Sequence, residues 1–524
     1  MRSERWWSMS FLYNNVAVIA VAVVASVVAW LFGGARGDLL LPVVPWLFVL
    51  MVEVLLCYPQ RHRGESTYEA RARVWKKLGR SRLVWVSCGL LALLLIPFVN
   101  SGLCTGCDAA LIAQGRSPKP PVPFLPFCVD RLDHFAVVLW FMVVLPSAIA
   151  VHHCLTRRGK RLVLELIVWN GAALAVLGFV QGASGATGPF WIGPEEAREG
   201  TQFFSVFGYP NMAGDYFTTL FGLAVALWRD RCERIRRGIE DEDSFDLPEG
   251  AAKERGRFWR RHYFLIPAAL FFFAALNTLS RAAIVLVTTA AIVYFAHTLV
   301  LVLSRMRRSS RVFVGVWSLV VFGLVIFFAA IAMPNKVRKE MDTLDTIEML
   351  DRVTSRGQYH GQVSSAIWRD HPLFGVGGWG YVHFCADKMK ALKIPLNELQ
   401  TLGGANVHND HLQFLAEHGI VGYGAMVALV VLLLWPVVRQ WKQMIRDLRF
   451  KKGKDRPPRP VAIFALPAPV FFILLTALCT VIHAFCDCPL RSCAVLDLFY
   501  ISLAALPGFM PKEAHHHHLT TKNH

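Results

Sequence analysis

The stretch NVHNDHLQFLAEHGIVGYGAMVALVVLLLWPV, residues 406–437, joins a polar, histidine-bearing segment to a long apolar run. The apolar part, 411–437, is long enough to cross the hydrocarbon core of a bilayer as a helix. His408 and His411, at its polar start, would then lie at the membrane boundary. The stretch therefore predicts a membrane helix with polar chemistry at one end.

Apolar blocks of the same kind recur along the chain of 524 residues. Hydrophobic residues make up 55% of the sequence and charged residues only 18%, a balance that is unusual for a soluble protein. We count twelve blocks near 16–32, 39–57, 83–99, 134–153, 162–181, 203–227, 262–279, 282–303, 312–333, 411–437, 461–482 and 493–508. The predicted fold is an all-α polytopic membrane protein with about 12 transmembrane helices and one large periplasmic helical loop.

The basic residues behind the net charge of +18 are distributed as the predicted topology requires, and they do not form a nucleic-acid-binding patch. Most of the 55 Lys and Arg residues lie in five segments, 61–82, 156–161, 228–261, 304–311 and 438–460. These segments fall in alternate loops, so the positive-inside rule predicts that they and both termini are cytoplasmic. Contact with anionic lipid accounts for these basic runs, and no nucleic-acid partner is expected.

The chain divides into four predicted parts. Residues 1–333 hold transmembrane helices 1–9, 334–410 form the periplasmic loop insertion with two or more helices, and 411–510 hold transmembrane helices 10–12. The tail, 511–524, contains an HHHH run that resembles a purification tag and is excluded from functional reasoning. Within the insertion, Tyr359, Val363 and Ile367 follow helical spacing up to Pro372, and the glycine-rich LFGVGGWGYVHF then predicts a loop with closely approaching backbone.

Seven of the twelve cysteines are predicted to lie on the outer side. They are Cys104, Cys107, Cys128, Cys385, Cys486, Cys488 and Cys493. The close spacings C-T-G-C and C-D-C are compatible with metal binding, but an oxidising compartment favours disulfides, whose pairing the sequence does not define.

Two polar sites interrupt apolar blocks on the predicted outer side. Arg281 lies in LNTLSRAAIVLV, a sharp turn flanked by Asn277, Thr278 and Ser280, where it is either an interfacial anchor or a functional group. Pro210 and Asn211 lie in FGYPNMAG, where a proline opens or kinks a helix and Asn211 would face an external cavity, with Arg198 just ahead.

The 406–424 segment supplies the candidate base. His408 and His411 are three residues apart and would share one face of a helix, so with Asp410 they form a weak zinc pattern. A general base is the better interpretation of His408, because neutral imidazole predominates near pH 7. Glu417 falls inside the apolar run and needs a partner such as an arginine.

Further polar candidates complete a cationic outer pocket. Arg352 and Arg356 are four apart, a spacing that suits either a phosphate grip or a solvated face. Asn409 and Gln413 are supporting polar residues beside the histidines. Together these groups fit an anionic, lipid-linked substrate.

Four stretches in order resemble the signature segments of the O-antigen ligase family, which includes Wzy-type polymerases. They are FGYPNMAG, NTLSRAAIVLV, SRGQYHGQVSSAIWRDHPLFGVGGWGYVHF and HNDHLQFLAEHGIVGYG, and the resemblance covers roughly residues 200–510. His408 matches the family histidine and Arg281 the arginine of the T-x-S-R-type stretch. The family arginine before Pro-Asn corresponds in spacing to Gln202, and the nearest arginine is Arg198.

The resemblance implies a glycosyltransferase of C-type architecture in the bacterial inner membrane. It would transfer a glycan from undecaprenyl pyrophosphate to a hydroxyl of lipid A–core oligosaccharide at the periplasmic face, with inversion and without a metal or other cofactor. His408 would activate the acceptor hydroxyl, while Arg281, Arg198 and one of Arg352 and Arg356 would hold the pyrophosphate.

Two alternatives remain open. An O-antigen polymerase or a protein O-oligosaccharyltransferase of the same superfamily would share the donor and the fold. A lipid-linked glycan transporter would instead place charged groups near the bilayer midplane and show inverted repeats.

Overall fold

The computed structural model describes most of the chain. The described residues are 9–62, 64–101, 122, 124–192, 203–236, 259–304, 306, 308–331, 347–394, 406–450 and 466–511. Within these ranges the protein is helical and has no strand, apart from an isolated bridge between Phe204 and Phe207. The all-α prediction is therefore confirmed for this part of the chain.

The described residues contain sixteen α-helices. They are α1 (Met9–Trp30), α2 (Gly37–Leu40), α3 (Val44–Cys57), α4 (Thr67–Arg80), α5 (Arg82–Leu95), α6 (Arg131–Ile149), α7 (Arg157–Ala183), α8 (Pro210–Arg236), α9 (Leu265–Asn277), α10 (Arg281–Ser304), α11 (Arg308–Ile331), α12 (Ile347–Asp370), α13 (Gly380–Ala391), α14 (Asp410–Phe450), α15 (Ala468–Cys486) and α16 (Cys493–Ala505). Several begin at a side-chain cap that satisfies an amide of the first turn, as Thr156 does for α7.

Five helices among the described residues are long and apolar enough to cross a membrane. They cover Arg131–Cys154, Arg157–Ala183, Arg281–Ser304, Asp410–Arg446 and Ala468–Cys486. A sixth span results if α4 and the helix that follows it, bent by 63°, count as one. Shorter apolar helices cover Asn14–Trp30, Val44–Cys57, Ser310–Val320 and Cys493–Gly508. A polytopic membrane architecture is supported, and the number twelve stays a prediction.

Helix α8 lies at the centre of the bundle. It packs against α7, α9, α10, α15 and α16, and its residues are buried almost continuously from Met212 to Leu227. The helix begins at Pro210, where the missing amide hydrogen costs nothing because first-turn amides have no intrahelical partner. The predicted sixth span, 203–227, is thus shortened at its start, since 203–209 are not helical.

The turn between α9 and α10 is as tight as the sequence predicts. α9 ends at Asn277 and α10 begins at Arg281, with Leu279 at φ 62° between them. The Thr278 hydroxyl donates to the Ala275 carbonyl, and the Ser280 hydroxyl accepts from the Ala283 amide at 3.2 Å. The turn therefore presents Ser280 and Arg281 at one end of the bundle.

The described part of the predicted insertion has a small core of its own. Val363 and Ile367 of α12 are buried against Tyr381 and Phe384 of α13, and Ala416 of α14 joins them. Helix α12 ends at Asp370, before Pro372, as the spacing predicts. The first part of the predicted insertion, 334–346, lies outside the described residues.

The glycine-rich loop packs backbone against backbone on a break in α14. The break is at Gly419, with φ 63° and ψ −173°. The Ile420 amide donates to the Pro372 carbonyl at 2.9 Å, and the Gly377 amide donates to the Glu417 carbonyl at 2.8 Å. A Cβ on Gly375 would lie 2.3 Å from the Glu417 carbonyl carbon, so only glycine fits there. The predicted close approach is confirmed, and its partner is α14.

Candidate functional site

Four helix ends that are distant in sequence meet around Asp487, the residue that follows α15. They are the start of α8, the start of α10, the segment before α14 and the end of α15. The carboxylate accepts hydrogen bonds from the Tyr209 hydroxyl at 2.9 Å and from the Asn211 side-chain amide. It also accepts from the Cys488 backbone amide at 2.7 Å. Asp487 thus organises residues from separate segments.

His408 is the imidazole of this cluster. Its Nδ1 lies 3.3 Å from Oδ1 of Asp487, and both side chains keep about 15% of their surface exposed. With Nδ1–H directed at the carboxylate, Nε2 carries the free lone pair, which is the arrangement that orients an imidazole as a base.

The backbone around His408 differs from the sequence prediction. His408 lies two residues before α14 and has φ 52°, so it does not share a helical face with His411. His411 points elsewhere: its Nδ1 is 2.9 Å from the Tyr423 hydroxyl and its Nε2 is 3.2 Å from the Val481 carbonyl. The expected pair is wrong because the helix begins only at Asp410.

The charge state of Asp487 follows from its contacts. Burial alone raises the pKa of a carboxyl group, but the hydrogen bond and charge of His408 and the Cys488 amide outweigh burial. The pKa of Asp487 is therefore below its ordinary value, and the group is a carboxylate at neutral pH. An anionic Asp487 stabilises positive charge on His408.

Asn211 links this dyad to the arginine at the start of α10. Its side-chain nitrogen donates to Asp487 and to the Tyr209 hydroxyl, and its side-chain oxygen accepts from the Ser280 hydroxyl. Arg281 is the next residue and is partly buried. Asn211 and His408 thus contact the same carboxylate, and Arg281 follows directly after the serine that Asn211 contacts; a shared site for all three residues stays a prediction.

A second histidine–carboxylate pair lies one helical turn below the first. Asp215 is four residues after Asn211 on α8, and His483 is four residues before Asp487 on α15. Their side chains meet at 3.0 Å, and the Thr480 hydroxyl donates to Asp215 at 2.9 Å. Both members are at most 1% exposed. Polar contacts between α8 and α15 therefore continue from the helix ends into the bundle.

Two predicted site residues belong to a buried ion cluster. Arg491, fully buried, donates to Glu417 at 2.7 Å and lies 3.4 Å from Asp410. Gln413 donates to Glu417 at 3.0 Å and accepts from the Val407 amide. Glu417 thus has the arginine partner that its position requires, and buried Gln413 connects Glu417 to the backbone of Val407, the residue before His408.

The remaining predicted residues have other positions. Asn409 caps α14, because its Oδ1 accepts from the Leu412 amide at 3.1 Å. Arg352 and Arg356 lie on α12, but their side chains fall outside the described residues, as does Arg198. The zinc pattern of His408, His411 and Asp410 is not assembled, since the three side chains contact Asp487, Tyr423 and Arg491 respectively.

A different set of ligand atoms does come together. His408, Asp487 and Cys488 offer a nitrogen, an oxygen and a sulfur atom within 4.8 Å of one another. Among the cysteines predicted to lie on the outer side, Cys385, Cys486, Cys488 and Cys493 are free thiols in the described part of the chain, contrary to the preference for disulfides. Cys104 and Cys107 lie outside the described residues.

Sequence reasoning missed the residues that hold the dyad. The sequence analysis did not identify five polar residues that lie next to or inside an apolar block. They are Asp487, Tyr209, Asp215, His483 and Arg491. An ionisable residue in such a place needs a buried partner, and that signal could have marked four of them. Their pairing depends on which helix ends meet.

Comparison with known proteins connects this geometry to a family. No curated protein matches the chain. Residues 266–427 match the family model described as O-Antigen ligase. The matched segment contains Arg281 and His408, whereas Asn211 and Asp487 lie outside it. Over residues 266–427, the chain is therefore similar to the O-antigen ligase family.

Proposed function

We propose that this protein transfers a glycan from undecaprenyl pyrophosphate to a hydroxyl of lipid A–core oligosaccharide at the periplasmic face of the bacterial inner membrane. The family match supports a ligase or polymerase of lipid-linked glycans. The observation that carries the catalytic part is the His408–Asp487 dyad, which Asn211 links to Ser280, the residue before Arg281.

The acceptor half of the reaction rests on His408. Nδ1 faces Asp487, so Nε2 is available to accept the proton of the acceptor hydroxyl as its oxygen attacks the anomeric carbon. The imidazolium that forms is stabilised by the Asp487 carboxylate. Tyr209 and Asn211 hold that carboxylate in place, which preserves the direction of Nδ1–H.

The donor half rests on positive charge beside the dyad. The new bond joins the acceptor oxygen to the anomeric carbon, and the bond from that carbon to the pyrophosphate oxygen breaks with inversion. The electron pair stays on the pyrophosphate, where Arg281 stabilises the growing charge. Arg198, Arg352 and Arg356 are proposed to assist. Pyrophosphate is already a good leaving group, so the step demands neither a catalytic acid nor a metal.

Product analysis tests this function. Purified protein is incubated with carrier-linked glycan and rough lipopolysaccharide in excess chelator, and we expect the glycan to appear on lipid A–core. The His408→Ala variant should lose this product, while His383→Ala, a matched external histidine on α13, should retain it. Longer glycan still on the carrier would instead identify a polymerase, and glycosylated protein an O-oligosaccharyltransferase. Activity that returns only with a divalent ion would contradict the metal-free step.

A second candidate, transport of the lipid-linked glycan, is favoured by one observation. The Asp215–His483 pair is buried between α8 and the membrane-span candidate α15, and a transporter would also bury ionisable groups between its helices. Vesicles that carry the protein and a labelled lipid-linked glycan, but no acceptor, would separate the functions. Movement of label across the bilayer without any transfer product would favour transport.

The proposed location has its own test. We expect both termini in the cytoplasm and the dyad in the periplasm. With the exposed Cys486 replaced by serine, a cysteine introduced at Asp387, on α13, should react with a membrane-impermeant maleimide in intact spheroplasts, and the variant without the new cysteine should react less. Protection of this position until the membrane is lysed would reverse the topology.

A further inference from the structure

We propose that His408, Asp487 and Cys488 form an inhibitory binding site for zinc or a similar thiophilic divalent cation. This inference rests on the proposed function for its inhibitory effect, but the metal site itself stands on geometry alone. The three ligand atoms come from the segment before α14 and from the two residues that follow α15.

Two of the three distances between the ligand atoms match a tetrahedral metal site, and the third is within 4.8 Å. His408 Nδ1 lies 3.3 Å and Cys488 Sγ lies 3.2 Å from Asp487 Oδ1. Zinc bonds of about 2.0 Å to nitrogen and oxygen and about 2.3 Å to sulfur, at tetrahedral angles, separate such atoms by about 3.3–3.5 Å. The side chains therefore need little movement to share one ion.

The kind of ligand selects the ion. A thiolate, an imidazole and a carboxylate suit zinc, whereas magnesium and calcium prefer sites built from oxygen atoms. The carboxylate is already fixed by Tyr209 and Asn211, which resembles the outer hydrogen bonds that orient metal ligands. Burial and the neighbouring Asp487 raise the pKa of the Cys488 thiol well above its ordinary value, so zinc must displace its proton on binding.

Metal binding would disable the proposed base. In the free dyad the proton of His408 is on Nδ1, and Nε2 accepts the proton of the substrate. Zinc on Nδ1 moves that proton to Nε2, so the imidazole can no longer accept one there. The Cys488 proton is released to solvent. Bound zinc should therefore stop transfer without unfolding the protein.

The test measures metal binding before activity. The protein is prepared with His515, His516, His517 and His518 replaced by alanine, because that run binds metals itself. Cobalt(II), a spectroscopic substitute for zinc, should give a near-ultraviolet charge-transfer band from thiolate to metal, and zinc should abolish the band. We expect Cys488→Ser to lose the band and to weaken zinc binding by about tenfold or more.

Matched variants and conditions keep the result decisive. Cys486→Ser, which changes the exposed thiol two residues away, should keep the band. Cys488→Ala serves as a second variant, and gel filtration with a melting curve checks that each variant is folded. Absence of the band in the parent protein, or its persistence in both Cys488 variants, would overturn the site.

Activity then separates the site from its effect. The transfer rate of the parent protein in micromolar zinc should be about 100-fold lower than its rate in chelator. Loss of a general base typically slows a reaction by this factor. Millimolar magnesium should have no effect. If the band depends on Cys488 but the protein is fully active in zinc, the metal site is supported and its inhibitory effect is refuted. A band in a protein with no transferase activity would refute the proposed function alone.

Discussion

The Nδ1 atom of His408 lies 3.3 Å from Oδ1 of Asp487, although 79 residues separate the two in the chain. The contact joins the start of α14 to the end of α15. The carboxylate fixes which ring nitrogen of His408 carries the proton, as the proposed role of this histidine as a base requires.

The first prediction concerns that carboxylate. Asp487→Asn keeps the shape of the side chain but removes the charge that stabilises the imidazolium, so kcat should fall by about 10²–10⁴. Initial rates of glycan transfer measure the effect, with Asp387→Asn on α13 as a control that should retain its rate. An Asp487→Asn variant with normal kcat would exclude the dyad from the mechanism.

The second prediction concerns Arg281. Arg281→Lys keeps the positive charge but loses the planar pair of donors, so transfer should fall by about tenfold or more, and Arg281→Ala should fall further. Donor titrations separate weaker binding from slower chemistry. Arg369→Lys, an exposed arginine on α12, is the matched control. Equal rates for Arg281→Lys and the parent would argue for a simple charge anchor.

The third prediction concerns the buried ion cluster. Arg491→Met leaves the Glu417 carboxylate buried without its cation and should destabilise the fold by about 3–5 kcal/mol. Adding Glu417→Gln should recover about 1–3 kcal/mol of this loss, since the two residues interact directly. Unfolding in detergent measures both variants. Arg36→Met, whose ion pair with Asp38 is exposed, should change stability little.

The fourth prediction concerns the break in α14. Gly419 has φ 63°, and a Cβ there would lie 2.2 Å from the Leu373 carbonyl oxygen. Gly419→Ala should therefore lower stability by more than the roughly 1–2 kcal/mol of a left-handed backbone alone. Gly424→Ala, five residues further on in open space, should be neutral or stabilising by up to about 1 kcal/mol. Similar melting curves for the two variants would contradict the packing of the loop on α14.

The fifth prediction concerns pH and the salt bridge between Arg73 on α4 and Glu65 in the segment that precedes this helix. The hydrogen bond from Arg73 lowers the pKa of Glu65 from 4.5 to about 2. A lowered folded-state pKa stabilises the protein above pH 4.5, and this contribution is lost as pH falls from 4.5 towards 2. Glu65→Gln should therefore lower the melting temperature at pH 7 and have a smaller effect near pH 3. If the difference in melting temperature between Glu65→Gln and the parent did not change with pH, this ion pair would not contribute to the stability of the protein.

Local patterns in the sequence determined the class of the protein and several of its details. The length of the apolar blocks predicted long apolar helices, and Pro210 predicted the start of α8. The short polar interruption predicted the turn before Arg281. Glu417 inside an apolar run required a cationic partner. Each of these depends on near neighbours in the chain, so spacing and residue type were sufficient.

Tertiary structure alone decided which polar groups meet. It paired His408 with Asp487, assigned Arg491 to Glu417, and turned His411 towards Tyr423 and away from the dyad. The sequence places a side chain on a helix and near one of its ends, but the packing of separate helices decides which ends come into contact. Desolvation inside the bundle then selects the pairs, because a buried charge or hydrogen-bonding group is stable only where another segment supplies its partner.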